Sequence, residues 1–181
     1  MGAQKVGPDF SGERAKVYFT RHVDAGHLKQ LYTLVNQRIT GRIAVKLHTG
    51  EKNGLNIPPH DMVQALLSII PSSTIVEMNT LYPGDRDTTE KHLETLKVNG
   101  WTFCPVDILD AEGVVGVPIQ DGRHFKAVSM AKNIVNYDSM LVLTHFKGHA
   151  MGGSMKNIAI GYADGTIGKQ QVHVVSGVNL P

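Results

Sequence analysis

Between Thr144 and Asn157 the chain masses two histidines (His145, His149), two lysines (Lys147, Lys156) and three glycines (Gly148, Gly152, Gly153). They follow directly on the apolar run Met140 to Leu143. Neutral imidazoles bind divalent transition metals or move protons near neutral pH. Lysine ammonium groups neutralise anions, and glycines let backbone approach a ligand closely. Gly152-Gly153-Ser154 ahead of Lys156-Asn157 offers backbone N–H groups to an anion. A plain tight turn is the alternative there.

Two other apolar runs end in comparable chemistry. Arg42 to His48 ends in Lys46-Leu47-His48, followed by Thr49-Gly50-Glu51. Ser73 to Met78 leads to Asn79, then Tyr82, Asp85 and Arg86. If the three runs are parallel strands, their ends share one edge, where open α/β sheets place their sites. His48, Asn79 and His145 then converge. Alternation puts Lys46 on the face of His48, as a buried functional amine or as a snorkelling edge residue. Arg86 is a clamp for carboxylate or phosphate or one half of a salt bridge within its loop. His92 reads as solvated on an exposed helix face. Cys104, beside Pro105 and without an evident base, reads as a structural thiol.

The elements that must position these residues follow from pattern and punctuation. Lys16 to Thr20 reads as a first strand. A helix capped by Asp24 runs to about Ile39, with Leu28, Leu31, Leu34 and Val35 on one face and Gly41 as its stop. Pro58-Pro59 precede a second helix, Asp61 to Ile70, with a stripe of Met62, Ala65, Leu66 and Ile69. A third begins at Thr88-Thr89-Glu90, presents Leu93, Leu96 and Val98, and stops at Asn99-Gly100. Pro105 to Leu109 is a further strand. Residues 116–119 and 125–128 make a hairpin around Gln120 to Arg123. Met130 to Asn136 suits a short helix, 139–145 a strand, and Gln171 to Val175 is β-like. Alternating strands and helices predict a three-layer, Rossmann-like α/β fold with a mainly parallel sheet and helices on both faces. Residues 1–15 are expected to be loosely ordered and 16–181 to form a single domain.

The 181 residues carry a net charge of +2, with nine histidines counted as neutral. This balance gives no electrostatic case for nucleic acid or a membrane surface. Mean hydropathy is −0.11, and no run approaches a membrane span. The one cysteine excludes an internal disulfide and an iron–sulfur cluster held within one chain. With no apolar N-terminal leader, the expected location is the cytoplasm.

Four ordered motifs resemble the DUF362 family, proteins of poorly defined function often described as iron–sulfur-centre proteins. They are Ala44 to Glu51, Asn79 to Arg86, Leu143 to His149 and Lys156 to Gly161. The resemblance runs from about Lys16 to about Gly161 and implies site positions at His48, Asn79 to Tyr82 and His145 to His149. Relative to the family, the glycine segment Met151 to Met155 is short. The cysteine-rich part that many members carry has no counterpart before Pro181, so an iron–sulfur role would belong to a redox partner. In order of elements the chain also resembles, more distantly, the N-terminal domain of nickel-pincer lactate racemases, which makes a metal-containing cofactor one of the readings.

The functional expectation is a polar pocket at the strand ends that binds a small anionic ligand or a metal-containing cofactor. His48 and His145 serve as acid/base groups, with Lys46 beside them. His48, His145 and His149 are the candidate metal ligands. Asn79, Tyr82, Arg86, Lys147, Gly148, Gly152, Gly153, Lys156 and Asn157 are the candidate ligand-binding positions. The rival readings are a non-catalytic docking module for a redox or iron–sulfur partner, and a truncated remnant whose open sheet edge would favour a homodimer.

Overall fold

A computed structural model describes residues 16–145. Expectations placed on 1–15, on Lys147, Gly148, His149, Gly152, Gly153, Lys156 and Asn157, and on Gln171 to Val175 lie outside the described residues. Within them, helix α1 (Ala25–Val35) and a 3₁₀ turn (Asn36–Arg38) lead to β1 (Ile43–Lys46), α2 (His60–Leu67) and β2 (Ser73–Glu77). Then come α3 (Thr89–Val98), β3 (Val106–Ile108), the hairpin β4 (Val114–Pro118) and β5 (Ala127–Ala131), a second 3₁₀ turn (Lys132–Asn136) and β6 (Ser139–Val142).

β1, β2, β3 and β6 form one sheet in the order β3-β2-β1-β6, every neighbouring pair parallel. β1 is central, with Lys46 level with Val76 on one side and Val142 on the other. From β1 the chain steps through α2 to β2 and through α3 to β3. It then returns past the hairpin to β6, on the opposite side of β1. The order therefore reverses between β1 and β6, the position at which doubly wound sheets bind ligands beyond the carboxyl ends of their strands.

Each face of the sheet has its own core. Ile43, Val45 and Ile75 pack with Tyr32 of α1, Val63 and Leu66 of α2, and Leu96 of α3. Ala44, Val76 and Met78 pack with Leu109 and Ala131, flanked by Met130, Ile134 and Tyr137. Among the described residues the three α-helices thus cover one face, and the end of β5 with the second 3₁₀ turn covers the other. The α/β, mainly parallel, Rossmann-like fold read from the sequence is the fold observed.

Local chemistry explains the boundaries. Asp24 accepts the backbone N–H of His27 at 2.9 Å and starts α1, and Thr88 does the same for Lys91 at 3.3 Å and starts α3. Gly41 turns the chain into β1 at φ +71°, where a Cβ would collide with the Asp138 side chain. That carboxylate accepts the Arg42 backbone N–H at 2.8 Å, tying the starts of β1 and β6 together.

Several sequence expectations need correction. Lys16 to Thr20 is not a strand: it pairs with no strand of the sheet among the described residues, and Val17 and Phe19 are exposed. α1 ends at Val35 and buries Tyr32, while Leu34 and Val35 face solvent. α2 ends at Leu67, short of Ile70, and is rotated from its expected stripe, burying Val63 and Leu66; just beyond it Ile70 is buried and Ile69 exposed. α3 turns His92, Thr95 and Leu96 inward and Leu93 and Val98 outward. The Met130 to Asn136 helix resolves into the end of β5 and a 3₁₀ turn.

The inward faces make a direct contrast. Leu66→Ala, at a fully buried site, is expected to cost about 2–5 kcal/mol. Leu93→Ala, on the outward face of α3, is expected to stay within about 0.5 kcal/mol. Urea denaturation of both variants checks this, and equal losses would contradict the assigned face of α3.

Candidate functional site at the strand ends

The last residue of β1 is a lysine and the last residue of β2 a glutamate. Both are buried, which a charged residue tolerates only when paired. Lys46 Nζ donates to Glu77 Oε2 at 2.9 Å and to the Leu47 carbonyl at 2.8 Å. The same carboxylate oxygen faces the Met78 backbone N–H at 3.3 Å. Oε1 accepts the Thr49 backbone N–H at 2.9 Å and the Thr49 hydroxyl at 3.3 Å. His48 Nδ1 stands 3.6 Å from Oε1, at ion-pair range. Burial pushes the Glu77 carboxyl up, but Lys46, then His48 and Arg86, outweigh it and hold the group well below the usual carboxylate range. Glu77 is therefore an ionised hub that gathers both strand ends. His48 turns Nδ1 toward it, and its side chain remains 28% exposed.

The loop after His48 is held from the far end of α3. Asn99, the C-cap of α3, donates its side-chain amide to the carbonyls of Thr49 at 3.1 Å and Glu51 at 2.8 Å. Its side-chain oxygen accepts the Asn53 N–H at 2.9 Å. Trp101 Nε1 donates to the Thr49 carbonyl at 2.8 Å. Gly50, at φ +93°, lies where a Cβ would strike Ile57. The loop backbone is thus clasped between α3 and the chain leading to α2.

The turn after β2 completes the cluster. Arg86 is buried, and its guanidinium forks onto Glu51, Nε to Oε2 at 3.2 Å and a terminal nitrogen to Oε1. The Tyr82 hydroxyl donates to Glu51 Oε1 at 3.2 Å. The bond to Arg86 is the main influence lowering the Glu51 carboxyl, against its partial burial. Asn79 donates its amide to Thr89 Oγ1 at 3.1 Å, and its side-chain oxygen stands 3.3 Å from His92 Nδ1. Asn79 therefore ties the end of β2 to α3. His92, expected to be solvated, is fully buried, with no partner for Nε2 among the described residues. Burial lowers its pKa to about 4.

Of the sequence candidates, Lys46 and His48 meet at Glu77, Tyr82 and Arg86 meet at Glu51, and the Asn79 side chain turns to Thr89 and His92 of α3. His145 follows β6 at the same sheet edge, where the ladder continues past the strand through Leu143 N–H to the Lys46 carbonyl at 2.8 Å. Among the described residues no hydrogen bond links the His145 side chain to His48. Nor does any group of three His, Cys, Asp or Glu side chains there stand close enough to hold a metal ion. His149, the third candidate ligand, lies outside them. The described residues therefore do not assemble a metal site, and the one cysteine, Cys104, cannot hold an iron–sulfur cluster alone. Thr49, Glu51 and Glu77 stand in the sequence as polar residues at strand ends and Asn99 as a helix stop, none with a site role, and Trp101 carries no signal there. The available signal was a glutamate closing an apolar strand beside a strand closed by lysine.

Fold and cluster together define an α/β domain with a charged, histidine-bearing edge at its switch point. The chain belongs to the family described as Domain of unknown function (DUF362), whose model matches residues 43–178. No curated protein and no solved structure matches the chain. No helix among the described residues is long and apolar enough to cross a membrane.

The buried imidazole gives a pH dependence. His92 is neutral when folded down to about pH 4, whereas an unfolded histidine takes up its proton near 6.5. Between those values the unfolded chain binds more protons, so stability falls as pH falls. The full window is worth on the order of 3 kcal/mol. Glu77, with its depressed pKa, adds a loss only below its unfolded value near 4.5. Urea midpoints at pH 7 and pH 5 should therefore converge in His92→Gln relative to the parent. An unchanged difference would contradict a neutral buried His92.

Proposed function

We propose that the strand-end edge binds a small anionic molecule and that His48 is its acid/base group. The observation that carries this reading is the Lys46–Glu77–His48 arrangement. A buried, ionised carboxylate faces Nδ1 of a partly exposed imidazole, a pairing that sets the tautomer and leaves Nε2, on the other edge of the ring, for a ligand. Its position beside the β1/β6 switch point supports the same reading. His145 is the second acid/base group, and Lys147 and Lys156 supply positive charge, with Gly148, Gly152, Gly153 and Asn157 contributing backbone and amide donors. The chain's one cysteine fits a reducing compartment, and the proposal places the site in the cytoplasm.

The test is ligand binding by the full chain, purified without an affinity tag, against a panel of small carboxylates and phosphates followed by thermal shift. A ligand that raises the melting temperature of the parent, and loses at least tenfold in affinity in His48→Ala/His145→Ala with the fold retained, is the expected result. Binding unaffected by the double variant would contradict it and favour a docking module. Stoichiometric metal in the parent that is lost in the double variant would also contradict it, making the histidines metal ligands.

A further inference from the structure

The two buried cations of the cluster have partners of different kinds. Lys46 pairs with Glu77, as buried as itself. Arg86 is equally buried, but its partner Glu51 has a side chain 52% exposed, on a loop. A buried partner cannot leave without stranding a charge. A half-exposed carboxylate can turn into water, and its own hydration offsets much of what it gives up.

Glu51 also sits as a ligand would. Its two oxygens take the two arms of the Arg86 fork, the geometry by which guanidinium recognises a carboxylate or phosphate. The exposed Tyr82 phenol donates to the same carboxylate from another side. Glu51 stands three positions after His48 on the loop that follows β1, so the fork belongs to the edge that carries the imidazole. The Glu51 side chain can move while the loop stays, because Asn99 and Trp101 hold the backbone of Thr49, Glu51 and Asn53. The charge count agrees. Lys46 and Arg86 balance Glu77 and Glu51, and withdrawing Glu51 leaves the Arg86 charge without its partner.

We infer that Glu51 is an internal stand-in for the oxyanion of the ligand, and that Arg86 and Tyr82 form the subsite that a carboxylate or phosphate group occupies when Glu51 turns outward. The inference rests on the proposed anion-binding function and names the group that anchors the ligand. Arg86 is a binding residue in this reading, and Glu51 a competitor that sets the affinity.

The test titrates the full chain with sodium acetate and, separately, inorganic phosphate. The parent, Glu51→Ala, Glu51→Gln and Glu51→Ala/Arg86→Lys are compared by calorimetry and by the Arg86 Nε–H signal in NMR. In Glu51→Ala at least one probe should bind tenfold or more tighter than in the parent, and the Arg86 signal should shift with its addition. A gain for acetate alone identifies a carboxylate subsite, and for phosphate alone a phosphate subsite; either supports the inference. Arg86→Lys should abolish the gain, since lysine lacks the fork. Should that double variant not fold, the Arg86 signal in Glu51→Gln, which keeps the size of the side chain, decides the point. Affinities within twofold of the parent in both Glu51 variants, or a gain without any shift at Arg86, would overturn it. His48→Gln added to Glu51→Ala separates the two proposals. An intact gain supports the Arg86 subsite even where the acid/base role of His48 fails.

Discussion

The Lys46–Glu77 pair is the constraint on which the site depends. Two opposite charges stand at the ends of adjacent parallel strands, both out of water. Neither is tolerable alone, because removing one partner of such a pair costs about 3–5 kcal/mol. Their mutual need fixes where β1 and β2 end relative to each other, and the remaining valences of the carboxylate hold the residues just beyond β1. Thr49 is drawn in through its N–H and hydroxyl, which sets the path of the chain through His48. The ionised carboxylate then gives the imidazole a direction. A hydrophobic pair in the same place would pack as well, but would leave His48 and the loop without an organiser.

α3 supports this centre from both ends. Near its start, Thr89 and His92 bind the Asn79 side chain and hold the turn after β2. In its middle, the Thr95 hydroxyl donates to the Asp85 carbonyl at 2.8 Å, next to Arg86. At its end, Asn99 clasps the loop after β1. One helix thus sets the position of two loops that bring Arg86 and Glu51 together. This also explains its inward face, which carries a histidine and a threonine where a helix packed only on apolar core would carry leucines.

These two facts decide what could be read from the sequence. The strands β1, β2 and β6 were legible because their apolar runs are continuous, as buried parallel strands are. The caps Asp24 and Thr88 were legible because their chemistry is local. The strand-end placement of Lys46, His48 and Arg86 followed from the parallel reading. The helix faces were not legible in the same way. Counting apolar residues put Leu93 and Val98 of α3 inside and His92 outside, since nothing local shows that α3 faces a charged cluster. The role of Arg86 was open between clamp and salt bridge, because its partner Glu51 lies 35 positions away and only the fold brings the two together. The strand expected at Lys16 to Thr20 failed because its residue types suit a strand, but a strand needs a pairing partner and this segment has none among the described strands of the sheet.

The claim that Glu77 sets the direction of His48 is tested most directly by the tautomer of that ring. Nitrogen-15 NMR of imidazole-labelled protein, at a pH where histidine is neutral, distinguishes a proton on Nδ1 from one on Nε2. An imidazole governed by Glu77 carries its proton on Nδ1, facing the carboxylate, with Nε2 bare and ready to accept. A proton on Nε2 would contradict the arrangement, since Nδ1 would then have nothing to offer Glu77 and the hub would not extend to His48.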